Sequence, residues 1–300
     1  MTDAPERTRL GPPTAPSFPN SAADRERDFR EAEGYRPRVA VAIKQVPPSL
    51  GGATDPLKGF VLRTGPGRLN PHDGPAIEMA LRLKDRYGAL VDLFSMGPVQ
   101  AETALKEALS LGPDRAFHLT DPLLAGSDSL ATARTLIWAM DLEGPYDIIV
   151  SGLMTSDGGT GQVGPAMAAL MDFPFAGRVS EIVSLEDGAL TVKQLYRDEL
   201  LETRLNLPCL VTVHPDGFTP RLPTVRARLR PRLVNRLTAS DLIAPNPDQA
   251  PAQAALFGER GSPTKILRTH KPKANDKVLA RPTPPVAASV IIEAALKAKS

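Results

Sequence analysis

From residue 38 onwards, short apolar runs alternate with longer stretches of helical spacing. RVAVAIKQV, residues 38–46, predicts a buried strand. A Gly- and Pro-rich excursion follows, through SLGGATDPLKGFVLRTGPGRLNP. In DGPAIEMALRLKDRYG, Ile77, Ala80, Leu81 and Lys84 fall at helical spacing, and Asp73 and Pro75 suit a helix start. VDLFSMG predicts the next strand, and PVQAETALKEALSLG a helix ended by Gly112. RAFHLTD reads as a strand, SDSLATARTLIWAMDL as a helix, YDIIVSG as a strand and PAMAALMDF as a helix. This alternation predicts an α/β fold, a parallel sheet covered on both faces by helices, with right-handed connections.

Between the last of these strands and helices lies SGLMTSDGGTGQVGP, residues 151–165. It leaves the carboxyl end of a strand, where open α/β sheets hold ligands. It leads to a helix start near Gln162 to Pro165, and Pro165 suits a first turn. Unpaired N–H groups at a helix N-terminus attract anions, and glycines let the backbone come close to a phosphate. Thr160 and Gln162 add uncharged donors. The loop has no Lys or Arg, but backbone N–H nests suffice for a phosphate. Read alone, it is equally a flexible connection. There is no G-x-x-x-x-G-K-[ST] and no G-x-G-x-x-G after a strand, so neither a P-loop nor a dinucleotide fingerprint is present. Such a loop is suited to holding a nucleotide, not to cleaving it.

Composition narrows the classes. A net charge of +2 gives no single-sign field for nucleic acid or membrane. Aromatics, at 5%, are too few for a base-stacking surface. The single cysteine, Cys209, excludes an intrachain disulfide and a cysteine metal cluster. No apolar run approaches the roughly 18 residues of a membrane span, and the N-terminus does not read as a signal peptide. A cytoplasmic location is expected. Residues 1–36 are polar and Pro-rich and read as a disordered extension, residues 37–214 as the α/β domain, and residues 215–300 as a tail too rich in Pro, Ala and charge to build its own core. Within that tail only VAASVIIEAALKAK has an amphipathic helical period.

Most remaining chemistry-bearing residues have structural readings. His118 alternates along a strand, Cys209 reads as a small core residue, and Trp138 sits in a helical apolar stripe. Asp157 is expected to orient its loop through backbone hydrogen bonds. The four histidines lack the spacing of a metal pair, and only His72 has a candidate ligand role. The arginines at 226, 228, 230, 232 and 236 suit a docking surface for acidic proteins better than nucleic acid, since no aromatic residues interleave them.

Six ordered blocks resemble the β subunit of electron-transfer flavoprotein: VAVAIKQVP, LNPHDGPAIEMALRLKD, SMGPVQAETALKEALSLGPDRAFHLTD, SGLMTSDGGTGQVGP, TRLNLPCLVT and PRLPTVRARLR. RGSPTKI, residues 260–266, further resembles the nitrogen-fixation-associated and flavin-bifurcating branch. The resemblance implies an adenine nucleotide α-hydrolase-like sheet with a C-terminal arm wrapping a partner α subunit. It implies a heterodimer that carries electrons between flavin dehydrogenases of acyl-CoA type and a membrane quinone oxidoreductase or a ferredoxin. The working FAD would lie mainly on the α subunit, with AMP or a second FAD in this chain. The nucleotide contacts it implies are Ala42; Asn70, Pro71, His72 and Asp73; Met96; and Gly152, Leu153, Met154, Thr155, Ser156, Asp157, Gly158, Gly159, Thr160, Gly161, Gln162 and Val163. Leu222 would be the partner-recognition residue. The chain departs from the family pattern at Pro48, at Leu153 and Met154, at Gly158 and Gly159, and at Asp198-Glu199. A nucleotide-binding regulatory protein of the stress-protein kind, without electron transfer, is the alternative.

Overall fold

The computed structural model describes residues 35–48, 67–229, 232–243, 250–264 and 292. The chain divides into two units, Met1–Ile266 and Leu267–Ser300. The second unit holds the sequence-predicted C-terminal helix, which lies outside the described residues but for residue 292. Most of the expected N-terminal extension, and residues 49–66 of the Gly- and Pro-rich excursion, also lie outside them.

The first unit is built on a mixed sheet. Its parallel part comprises β1 (Arg38–Ala42), β4 (Leu90–Met96), β5 (Arg115–Leu119), β6 (Ile148–Gly152), β10 (Cys209–Val213), β11 (Asn235–Leu237) and, paired with β10, β7 (Phe175–Glu186). Two further strands, β2 (Gln45–Val46) and β3 (Arg68–Leu69), form a separate antiparallel pair. In the main sheet β8 (Ala189–Tyr196) and β9 (Glu199–Asn206) complete the order β11-β5-β4-β1-β6-β10-β7-β8-β9. Helices α1 (Asp73–Tyr87) and α2 (Glu102–Leu109) cover one face; α3 (Ser129–Glu143) and α4 (Val163–Met171) cover the other. Shorter helices follow: α5 (Val225–Leu229), α6 (Ala239–Leu242) and α7 (Ala250–Ala254).

Alternation along each central strand feeds two cores. Val39 and Val41 of β1 pack with Ile77, Leu81 and Leu105, whereas Ala40 packs with Phe94, Leu136, Met140 and Met167. An interior strand buried on both faces is mostly apolar, which is why these runs are legible as strands. Helix ends follow local chemistry. Gly88, at φ 69°, closes α1 by donating its N–H to Lys84 O, and Asp128 caps α3 by accepting from the N–H groups of Leu130 and Ala131.

The structure departs from the sequence pattern in three places. The strand expected over 38–46 breaks after Ala42, because the Lys44 N–H is drawn to Asp73 Oδ2 at 2.7 Å and Gln45–Val46 pairs with β3. The helix expected over 98–112 begins as a 3-10 turn, Val99–Ala101, and its α part ends at Leu109. Tighter bonds, from Leu111 N to Ala108 O and from Gly112 N to Leu109 O, finish it. Hydrophobic periodicity alone does not predict the antiparallel meander β7–β8–β9, although Asp187-Gly188 is a hairpin signal; both residues take positive φ, 50° and 64°. Part of the expected tail lies on this unit: β11 pairs with β5, α6 buries Ala239 and Leu242, and Phe257 meets Trp138 edge to face at 5.1 Å.

At the amino ends of the parallel strands, buried Asp92 holds three elements together. Its carboxylate accepts from Arg115 Nε at 3.0 Å and Nη2 at 2.6 Å, and from Tyr146 Oη at 2.8 Å. Tyr146 is correspondingly held protonated by burial and the neighbouring charge. Asp92→Ala leaves that hydroxyl unpaired, and chemical denaturation should show a loss of about 2–4 kcal/mol.

Candidate functional site

The chain lays β4 and β5 on one side of β1, then crosses back to place β6 on the other. That reversal opens a crevice beyond the carboxyl ends of β1 and β6, the usual ligand position in such sheets. The segments after these two strands meet there.

Asn70 joins them. It is fully buried. Its Nδ2 donates to Asp73 Oδ1 at 2.8 Å and to Met154 O at 2.9 Å, and its Oδ1 accepts from Ser156 N at 3.1 Å. Its backbone N–H donates to Lys44 O at 2.9 Å. Gly152 passes so close to the start of α1 that a Cβ would strike Asp73 Oδ1 and lie 2.7 Å from His72 O. Gly161 takes φ 62°, which an L side chain rarely adopts. Lys44 Nζ reaches Asp157 at 2.9 Å, and Asp157 Oδ1 accepts from Gly158 N at 2.8 Å. Asp157 thus orders the loop through the backbone, as expected, with a cation from the β1 side added. Ser129 Oγ lies 3.4 Å from Thr160 Oγ1, tying the loop to the start of α3.

The expected site residues therefore converge. Ala42 ends β1, Met96 ends the adjacent β4, and Asn70, Pro71, His72 and Asp73 open α1. Gly152 ends β6; Leu153 and Met154 to Gly161 form the loop; Gln162 and Val163 begin α4. Within the loop, Gly158, Gly159, Thr160 and Gln162 lie on its exposed rim. Leu222 stands apart on the stretch after β10, 87% exposed. Lys44 and Ser151 were not singled out by sequence. The signal for Lys44 was a cation just past the first strand facing a loop with none of its own. For Ser151 it was a hydroxyl in an otherwise apolar strand.

Two buried polar atoms at this end, Ser151 Oγ and His72 Nδ1, have no hydrogen-bond partner among the described residues. The first turn of α4 leaves N–H groups at Val163 and Gly164 without intrahelical acceptors. Orphan donors, glycine-lined backbone and a helix N-terminus fit a phosphate-bearing ligand. His118 is not involved: it is buried under Gly97 O at 3.2 Å, and burial lowers its pKa. Burial also pushes the Cys209 thiol up. Among the described residues no cluster of His, Cys, Asp or Glu could hold a metal, and no helix is long and apolar enough to cross a membrane.

Fold and crevice together define an α/β subunit that gathers a glycine-rich loop and the start of α4 beyond the carboxyl ends of β1 and β6. Residues 58–242 match the electron transfer flavoprotein domain. The chain is 36% identical over 238 residues to the electron transfer flavoprotein subunit beta of Thermoanaerobacterium thermosaccharolyticum, covering 78% of this chain and 88% of that protein. It is 35% identical over 258 residues to the corresponding subunit of Clostridium acetobutylicum, covering 84% and 96%. It is 36% identical over 250 residues to protein FixA of Rhizobium meliloti, covering 80% and 82%. The chain therefore belongs to the electron transfer flavoprotein family and is an electron-transfer subunit of the beta and FixA type. These relatives favour electron transfer over the regulatory alternative.

Asp73 gives the site a pH signature. Burial pushes its carboxyl up to about 7 from 3.8, against the lowering pull of Asn70, the Lys44 N–H and the Lys44 charge. The folded chain thus keeps a proton that the unfolded chain releases near pH 4. The associated stability is present below that pH and lost as pH rises through about 7. Denaturation of the unliganded protein at pH 5 and pH 8 should show most of this loss, roughly 3 kcal/mol, and Asp73→Asn should remove it.

Proposed function

We propose that this chain pairs with an electron-transfer flavoprotein α subunit in the cytoplasm. Together they carry electrons between flavin dehydrogenases of acyl-CoA type and a quinone oxidoreductase or a ferredoxin. The working FAD is held mainly by the α subunit. The crevice of this chain holds an adenine nucleotide, and of the two candidates we favour a second FAD over AMP. The observation that carries the nucleotide reading is the Asn70 junction, which fixes the glycine loop against α1 while Ser151 Oγ and the first turn of α4 keep unused polar groups. Ala42 and Met96 supply the apolar wall, and Gly152 to Val163 surround the phosphates. The lean to FAD rests on sequence: GQVGP, GSDSLATA and RGSPTKI resemble the bifurcating branch. Leu222 is the partner-docking side chain. Its 87% exposure, continued by Val225 at 75% and Leu229 at 80%, supports an apolar docking strip.

Extraction of the purified heterodimer and chromatography of its nucleotides tests the crevice. Two FAD are expected, and one FAD with one AMP keeps the site but changes its occupant. Asn70→Ala should release the nucleotide of this chain and leave the α-subunit flavin; the absence of any second nucleotide overturns the reading. Leu222→Ala should weaken coupling to the dehydrogenase by about ten-fold or more, since burying such a side chain is worth roughly 1.5–3 kcal/mol. Unchanged transfer kinetics would reject the docking role.

A further inference from the structure

The stretch that bears Leu222 is seated on α1 immediately before that residue. Pro220 lies over Gly74, where a Cβ would come within 3.0 Å of Pro220 Cγ. The next residue, Arg221, makes a forked contact with Glu78. Its Nε donates to Oε2 at 2.8 Å and its Nη2 to Oε1 at 3.1 Å. Its backbone N–H donates to Oε2 at 3.2 Å, so one carboxylate holds main chain and side chain together. Nη2 also reaches Asp85 Oδ2 at 2.8 Å. The Glu78 side chain is 7% exposed, and Asp85 is 61% exposed. Burial works to raise the Glu78 carboxyl, but the hydrogen bonds and charge of Arg221 outweigh it and hold it below its ordinary value. Arg82, one turn on from Glu78, reaches it at 3.3 Å and lies over the Phe218 ring at 5.1 Å.

One residue along the chain from this half-buried pair, the leucine is almost wholly in solvent. A free loop would be ordered only on docking, at a cost in affinity, whereas a loop already fixed avoids that cost. A planar guanidinium forked onto a carboxylate is the strongest and most directional of the common polar contacts. Glu78 lies beneath Arg221 and Arg82 and does not present itself to a partner.

We propose that Glu78 is a positioning residue for partner docking: it fixes Arg221, and through it the direction in which Leu222 and Val225 project. The proposal rests on the docking reading of those two side chains. It also places the docking stretch on the same helix whose first turn shapes the nucleotide crevice.

The test uses the purified heterodimer and an acyl-CoA dehydrogenase to which the wild-type protein couples. Glu78→Gln should raise the half-saturating concentration about five-fold or more, with turnover at saturation and the flavin spectrum unchanged. Limited trypsin digestion should cut after Arg221 faster in the variant, as mass spectrometry of the fragments would report. Arg82→Gln, which removes the neighbouring pair but leaves the fork, should change neither readout. If Glu78→Gln yields no heterodimer, Arg221→Lys, which keeps the charge and loses the fork, carries the same expectation. Unchanged half-saturation and cleavage, while a Leu222→Ala and Val225→Ala double variant still weakens coupling, would overturn the role of Glu78 and leave the docking strip standing. If the double variant also has no effect, the docking reading falls and the role of Glu78 falls with it.

Discussion

The amide of Asn70 fastens together three parts of the chain that are distant in sequence. Its backbone follows the β1 excursion, its Nδ2 grips the start of α1, and both ends of its side chain hold the loop after β6. It is fully buried, so none of these bonds has water as an alternative. A buried polar group that loses its partner costs about 1–3 kcal/mol, and here several would be lost at once. No other residue type places two donors and an acceptor at this reach without a charge. A carboxylate would have no N–H to give to Asp73 Oδ1 or Met154 O, and a hydrophobic residue would orphan Met154 O and Ser156 N. The glycine loop has its shape because this amide gives it fixed points at 154 and 156.

Much of this is legible in the sequence, for a definite reason. Central strands such as Val39–Ala42 and Ile148–Val150 are buried on both faces, so their apolar runs stand out. The loop announced itself through five glycines after such a strand, and the crevice residues were assembled through family resemblance. Long-range polar pairing was not legible. Nothing local to Lys44 says that its N–H meets Asp73 and its ammonium meets Asp157. The β8–β9 hairpin was hidden because it is half exposed, with Leu200 and Leu201 on the outside, and so lacks a clean alternation. Its turn uses Arg197 at φ 56° where glycine would have been the readable signal. The segment beyond residue 232 read as tail because Pro and charge dominate its composition, yet a few apolar residues, Leu237, Ala239, Leu242 and Phe257, suffice to seat it.

Helix α1 connects two surfaces. Its first residue, Asp73, takes part in the Asn70 junction; its second, Gly74, leaves space for Pro220; and Glu78, just over a turn further, holds Arg221. A helix is stiff over this distance, with a rise of about 1.5 Å per residue. The position of the stretch after β10 is therefore referred to the same rigid body as the crevice. Small residues at the crossing matter as much as the polar contacts, since a side chain at either Gly74 or Gly152 would push its neighbour away from α1.

The electrostatics of the crevice bear on the proposal that it holds a phosphate-bearing ligand. The Lys44 charge lies against Asp157. Asp73 lies close by, and the Asp157 charge adds to burial in raising its carboxyl. A second carboxylate in such a place would repel a phosphate, but a carboxyl that retains its proton to about pH 7 does so much less. Attraction is left to the backbone N–H groups of the loop and the first turn of α4, whose partial charges act at short range. Holding by dipoles suits a nucleotide that stays bound. The grip depends on the loop being ordered beforehand. Fixing each flexible residue costs roughly 1–2 kcal/mol, and glycines cost the most. Asn70 on one side and the Lys44–Asp157 pair on the other meet part of that cost in the folded chain, before any ligand arrives.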